Sequence, residues 1–160
     1  LETLRVPKQE LAAKVRQTLE QLKKAEKKLA ALALEGFRSQ IPVVIKSAKT
    51  VGKFDFLHYP AGEDISVDQV REMATGLSQA LESKASVVAV TALVDSKIAL
   101  IVATSSKARE LGVSSGNLVK VASGILGGGG GGKDNIAQGG GPETSKLKEA
   151  IAAIEKELNS

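Results

Sequence analysis

Apolar residues recur at alternating spacings of three and four through residues 4 to 33, and no glycine interrupts that stretch. Its one proline, Pro7, stands where a first helical turn tolerates it. The spacing predicts a long helix, and a heptad frame puts Lys8, Val15, Leu22 and Leu29 at a, with Leu4, Leu11, Thr18, Ala25 and Leu32 at d. So narrow a seam, interrupted at Lys8 and Thr18, suits a single partner helix, supplied by a second copy or by a longer parent protein. The alternative is a helix folded back on its own globular body. Gly36 reads as the helix end and Pro42 as the start of a strand.

Past residue 40 the period shifts. Residues 41 to 47 (IPVVIKS) and 53 to 59 (KFDFLHY) read as strands, the second with Phe54, Phe56 and His58 on the expected core face and Asp55, Leu57 and Tyr59 opposite. Ser66 is placed to cap a helix over 67 to 83 that carries Val67, Val70, Met73, Ala74, Leu77 and Leu81 on one side. Two apolar strands, 86 to 94 and 97 to 104, flank a tight Asp95-Ser96 turn and read as a buried hairpin. A helical turn near 107 to 111, a helix near 115 to 126 and an amphipathic helix from Pro142 to about Leu158 complete the pattern. The fold class expected is α/β: a mixed sheet of four or five strands with helices (40 to 160), preceded by a coiled-coil-like helical arm (1 to 39).

Composition narrows the chemistry. The 160 residues include no cysteine and one histidine, His58, which excludes disulfides, thiolate zinc sites and cysteine nucleophiles and leaves the histidine without a partner for common metal sets. His58 reads as a core-edge residue of its strand, and no catalytic or metal-binding residue is expected. With no run of 18 apolar residues and no charged-then-apolar leader, a soluble cytoplasmic protein with no membrane partner is expected. A first residue of Leu1 suggests a piece of something longer. The formal net charge is +4, and residues 1 to 40 alone hold nine Lys+Arg against five Asp+Glu. Within that helix Lys23, Lys24, Lys27 and Lys28 fall at b, c, f and g, off the apolar seam, and form a stripe suited to phosphates. The bland reading is a solvated face supported by Glu20–Lys24 pairing.

The segment 125 to 141, ILGGGGGGKDNIAQGGG, holds nine of the sixteen glycines. Glycine lets a backbone approach another molecule closely and adopt positive φ, so this segment reads as a loop whose N–H groups converge on phosphate oxygens. Lys133 adds a cation at its exit, and the helix expected after Gly141-Pro142 adds a second anion-friendly terminus. Asp134 after Lys133 excludes a Walker A loop, which needs Ser or Thr there. A flexible linker is the alternative, though linkers rarely carry an insert such as Lys-Asp-Asn-Ile-Ala-Gln.

Together with NLVKVASGILGG (117 to 128), the paired strands VVAVTALVDSKIALIVATS (87 to 105) and the helix after Pro142, this glycine motif resembles the C-terminal, DHH-associated domain of alanyl-tRNA synthetase, over essentially the whole chain. Asp134 departs from the proline common in that family. The resemblance implies a helical arm for homodimer formation and an α/β body that contacts the elbow of tRNA for alanine, linking aminoacylation with editing in cooperation with other domains of the same enzyme. It implies no cofactor for this piece, since ATP, Mg and Zn would belong to domains the chain lacks, and it makes the piece a binding module and not an enzyme by itself. The candidate RNA-binding residues are Gly128, Gly129, Gly130, Gly131, Gly132, Lys133, Asn135, Gln138, Gly139 and Gly140 with Lys23, Lys24, Lys27 and Lys28. A basic helix beside a bare backbone suits shape-directed RNA recognition, and scarce aromatics argue against a stacking platform. Two other readings stand beside it. One is the nucleotide-phosphate-gripping domain of a DHH-type phosphoesterase, a class that commonly has histidine where Lys133 stands; the other is a purely structural dimerisation domain.

Overall fold

A computed structural model describes residues 7–160; Leu4, the first d position of the heptad frame, lies outside them. The first helix, α1 (Lys8–Val44), runs straight through Gly36 and Pro42 and passes into a short 3-10 turn, Ile45–Ser47. Gly36 therefore does not end the helix, and 41 to 47 is not a strand. Pro42 removes one intrahelical hydrogen bond, which alone disfavours a helix. Burial outweighs that cost, because Phe37 is buried and Leu34, Ile41, Val44 and Ile45 pack into the same apolar cluster as the next helix. The crossing is close: a Cβ at Gly76 would lie 3.3 Å from Ile41 Cδ1. N-terminal to this docked stretch α1 is exposed, and Leu11, Val15, Leu22, Leu29 and Leu32 each keep more than half of their surface in solvent.

Six strands, more than the four or five expected, form one mixed sheet: β1 (Lys49–Val51), β2 (Phe54–Gly62), β3 (Ser86–Val94), β4 (Lys97–Thr104), β5 (Gly129–Gly132) and β6 (Ile136–Gly141), in the order β1-β2-β3-β4-β6-β5. Only β2 and β3 are parallel, and α2 (Val67–Ala80) makes the crossover between them. Ser66 caps α2 as expected, its side chain accepting from Gln69 N–H at 3.2 Å while the Gln69 side chain accepts from the Ser66 N–H at 3.0 Å. The β3–β4 hairpin turns on Asp95 and Ser96, both at positive φ (49° and 62°), the two-residue geometry that matches strand twist.

Each face of the sheet is covered. The C-terminal part of α1 and α2 pack on one side, while α4 (Ser115–Ile125) and α5 (Leu147–Leu158) pack on the other. Strand β2 consequently has no solvent face: Phe54 and Phe56 enter one core and Leu57 the other. The expectation of a single core face for β2 fails because a strand between two helical layers buries both sides. The short α3 (Ser106–Glu110) follows β4. The last helix begins at Leu147, not at Pro142, after a 3-10 turn Thr144–Lys146. The intervening backbone is held elsewhere, with Glu143 N–H donating to the Leu126 carbonyl at the end of α4 (2.9 Å). Among the described residues no helix is long and apolar enough to cross a membrane.

Phe37 is the anchor of α1, stacking obliquely on Tyr59 with ring centroids 5.2 Å apart. Phe37→Ala is expected to cost about 3 kcal/mol of stability, read by urea unfolding; a loss under about 1 kcal/mol would show that the helix is not docked through this side chain.

Candidate functional site

The glycine segment is not a loop. Its two halves are the last two strands at one end of the sheet, β6 and the edge strand β5, paired antiparallel with Gly129 opposite Gly140, Gly130 opposite Gly139, Gly131 opposite Gln138 and Gly132 opposite Ala137. The phosphate nest expected from the sequence is absent, because an extended ladder turns successive N–H groups in opposite directions instead of toward one point. The correction includes the second anion site, since no helix opens at Pro142. The turn between the strands is closed by Lys133 N–H donating to the Ile136 carbonyl at 3.0 Å. Counting back from that pair, the backbone groups of Gly131 and Gly129 bond to β6, whereas those of Gly132 and Gly130 point to the free edge of the sheet. Gly128, next in the alternation, turns its N–H to the Ser123 carbonyl of α4 (2.9 Å).

Side-chain space divides the same glycines into two sets. A Cβ on Gly128 would fall on the Gly140 carbonyl oxygen, one on Gly139 on Ser123 Oγ, and one on Gly130 within 2.6 Å of both Gly139 Cα and Val119 Cγ1. Gly130 and Gly139 are glycine because α4 packs directly on the backbone, and Gly128 because the backbone at Gly140 and Gly141 lies against it. Gly129 and Gly131 face the other way, where an added Cβ meets nothing within 4 Å. That side of the sheet, on which α2 lies over the central strands, leaves the outer two strands open.

Around the open side the structure gathers Gln138, Lys133 and Asn135 from the hairpin with Arg71 from α2, lining a cleft of about 450 Å³ with Ile101 in its wall. Arg71 Nη1 donates to Gln138 Oε1 at 3.4 Å. Beyond the turn a second opening of about 980 Å³ is lined by Arg109, Ser114, Lys133, Asp134 and Asn135. Asp134 fixes this turn: its carboxylate accepts from Ser114 Oγ (2.5 Å) and its carbonyl accepts from Thr104 Oγ1 (2.6 Å) and Ser115 N–H (3.0 Å). Arg109 is held by the Thr104 carbonyl and Ser106 Oγ. Glu82 accepts from the side chain and the N–H of Ser106, and these bonds, with a smaller contribution from Arg109, hold its carboxyl below the usual range. Neither Arg71 nor Arg109 was singled out by the sequence; their one signal was being the only arginines between residues 41 and 141.

Lys23, Lys24, Lys27 and Lys28 are exposed on α1 and line none of the clefts that border the hairpin. Lys28 is nine residues before Phe37, about 14 Å along the helix axis. The lysine stripe and the hairpin are thus two separate surfaces. His58 lies on β2 with Nε2 2.9 Å from Thr91 Oγ1. Burial pushes its pKa down from 6.5, Glu155 opposes that shift and Lys49 adds to it. The residue is a neutral, hydrogen-bonded part of the core edge, as its alternation predicted. Among the described residues no cluster of His, Cys, Asp or Glu is arranged to hold a metal ion.

Residues 50–160 match the DHHA1 domain family. The chain is 34% identical to the alanine–tRNA ligase of Leifsonia xyli subsp. xyli over 95% of its length and 40% identical to that of Paenarthrobacter aurescens over 96%. It spans 17% of the length of either relative. Among solved structures, the C-Ala domain of Aquifex aeolicus alanyl-tRNA synthetase aligns over 71% of this chain and 99% of its own, with a TM-score of 0.65 and 25% identity. RecJ from Thermus thermophilus shares the fold at 15% identity and a TM-score of 0.50, over 89% of this chain and 19% of that one.

The two sets of glycines separate by substitution. Gly130→Val is expected to destabilise the protein by about 3 kcal/mol or more through overpacking against β6 and α4, while Gly131→Val changes stability by less than about 1 kcal/mol; urea unfolding of both decides, and equal losses would contradict the division. For His58, the unfolded chain takes up a proton near pH 6.5 before the folded chain does, so its contribution is complete above that pH and is lost as pH falls from there toward the lower folded-state pKa. His58→Gln is expected to flatten the stability profile between pH 7 and 5; an unchanged profile would contradict burial as the cause.

Proposed function

Since the chain belongs to the DHHA1 domain family, we propose that it is the tRNA-binding and dimerisation module of an alanine–tRNA ligase, contacting the tRNA elbow and linking aminoacylation with editing. The observation that carries the proposal is the open side of β5, where Gly129 and Gly131 are glycines without a packing reason beside Arg71, Lys133, Asn135 and Gln138. A backbone without side chains lets a sugar-phosphate strand approach closely, and the surrounding groups offer cations and amides but no aromatic ring on which a base could stack. Alignment of 71% of this chain to 99% of a domain named C-Ala supports the assignment to this enzyme. In this reading the module works in the cytoplasm beside other domains of its enzyme, and the chemistry requiring ATP, Mg and Zn is carried out by them. The nucleotide-gripping reading has a likeness of fold behind it, such as that to RecJ, and no residue of the site that favours it.

The lysine stripe of α1 supplies long-range attraction in this proposal, and the hairpin supplies close contact. Replacing Lys23, Lys24, Lys27 and Lys28 with Gln is expected to weaken binding to several tRNAs alike, by about tenfold at low salt, and to flatten the dependence of log affinity on log salt by about three. Gly131→Val is expected to weaken binding about tenfold with little change in the salt slope. Titrations of labelled tRNA between low and physiological salt measure both. No binding at low salt would overturn the proposal, and an unchanged affinity in Gly131→Val would remove the hairpin from it.

A further inference from the structure

Gly36 is the only glycine of α1, and nothing around it explains it. It lies exposed in the helix, an added Cβ would meet nothing within 4 Å, and glycine weakens a helix by about 1 kcal/mol relative to alanine. Carrying the heptad frame forward puts Gly36 at the next a position, in line with Leu29 and Leu22. We propose that the exposed seam of α1 is covered by the same seam of a second copy running antiparallel, in the register that sets Leu22 beside the partner's Ala25. The proposal rests on the self-association reading above and adds to it an orientation and a register.

In that register the apolar seam contacts are Val15 with the partner's Leu32, and three in which a leucine packs over a smaller residue: Leu22 meets the partner's Ala25, Leu29 meets the partner's Thr18, and Leu11 meets the partner's Gly36. The Thr18 hydroxyl is already bonded to the Lys14 carbonyl at 2.9 Å, which leaves its methyl group for the seam. At the flank, Lys14 comes opposite the partner's Glu35, an attractive pair repeated by symmetry. The parallel in-register alternative sets Lys8 against the partner's Lys8, leaves a void where Ala25 faces the partner's Ala25, and brings Lys14 to the partner's Leu19. It also leaves Gly36 unexplained.

The globular body leaves room for this partner. Leu34, Phe37 and Ile41, which dock α1 on the body, fall at f, b and f, about 150° around the helix from the middle of the a/d stripe. The partner helix can therefore run past Gly36 without meeting the body that α1 carries. Lys23, Lys24, Lys27 and Lys28 centre on the side away from the seam, and the two-fold axis falls level with Lys23 and Lys24, so the stripes of both copies lie near the same level along the pair, on its two outer sides. The two Gly36 positions lie about 38 Å apart along the axis.

The chain has no cysteine, so single-cysteine variants report contacts cleanly. Mixing Val15→Cys protein with Leu32→Cys protein under mild oxidation is expected to give a disulfide between the two variants, and neither variant alone should cross-link. A disulfide in Val15→Cys alone would mean a parallel pair and overturn the orientation while leaving self-association intact. Protein that stays monomeric by sedimentation equilibrium at high concentration would overturn the self-association reading itself. Gly36→Leu is expected to weaken the dimer about tenfold without lowering the unfolding temperature of the monomer; unchanged dimer affinity would overturn the register.

Discussion

The arrangement depends on one close approach: the backbones of β5 and β6 lying against each other and against α4 with no β-carbon between them. Gly128, Gly130, Gly139 and Gly141 have no room for a side chain, and the neighbours a Cβ would strike are mostly backbone atoms that cannot turn aside. This contact extends the sheet by two strands beyond β4 and draws the backbone at Glu143 onto the end of α4. Because α2 lies over the central strands only, the added strands present their other side to solvent, and the open glycines with Arg71, Lys133 and Gln138 follow from that geometry. The motif thus works at two levels, as an element of packing on one side and as a bare surface on the other.

The same separation of faces recurs in α1. Its last turns dock through Phe37, Leu34 and Ile41, its apolar seam lies on the far side, and its lysines lie off the seam. The docking residues and the lysines share the side of the helix that carries b and f and are separated along its axis, while the seam takes the opposite side, so the three patterns do not compete for one surface. The exposed leucines of the seam have no role in the isolated fold, and their surface is of the kind that a partner covers.

Much of this was legible in the sequence where local rules and tertiary packing agree. The Ser66 cap, the Asp95-Ser96 turn with its two flanking strands, and the core role of His58 followed from capping, turn chemistry and period. The readings failed where long-range burial overrode a local signal. Gly36 and Pro42 carry the marks of a helix end, yet docking on α2 holds the helix together across both. The glycine run carries the composition of a loop, since strand propensity counts side chains that glycine lacks, and only the contact with α4 makes it a strand. Arg71 was invisible for a different reason: it is 67 residues from Gln138 in sequence, and only the crossover of α2 brings them together.

In the proposed function the uncovered glycine backbone of β5 is itself a contact surface for tRNA. Amide resonances of Gly129 to Gly132, followed by NMR as tRNA is added, test it most directly, because the backbone is the only reporter those residues have. The account predicts that the edge-directed amides of Gly130 and Gly132 shift or broaden at the same tRNA concentration that saturates the lysine stripe, with Arg71 side-chain signals changing alongside. Saturation of the lysines with the four glycine amides and Arg71 unperturbed would contradict it, and would leave the hairpin as architecture alone.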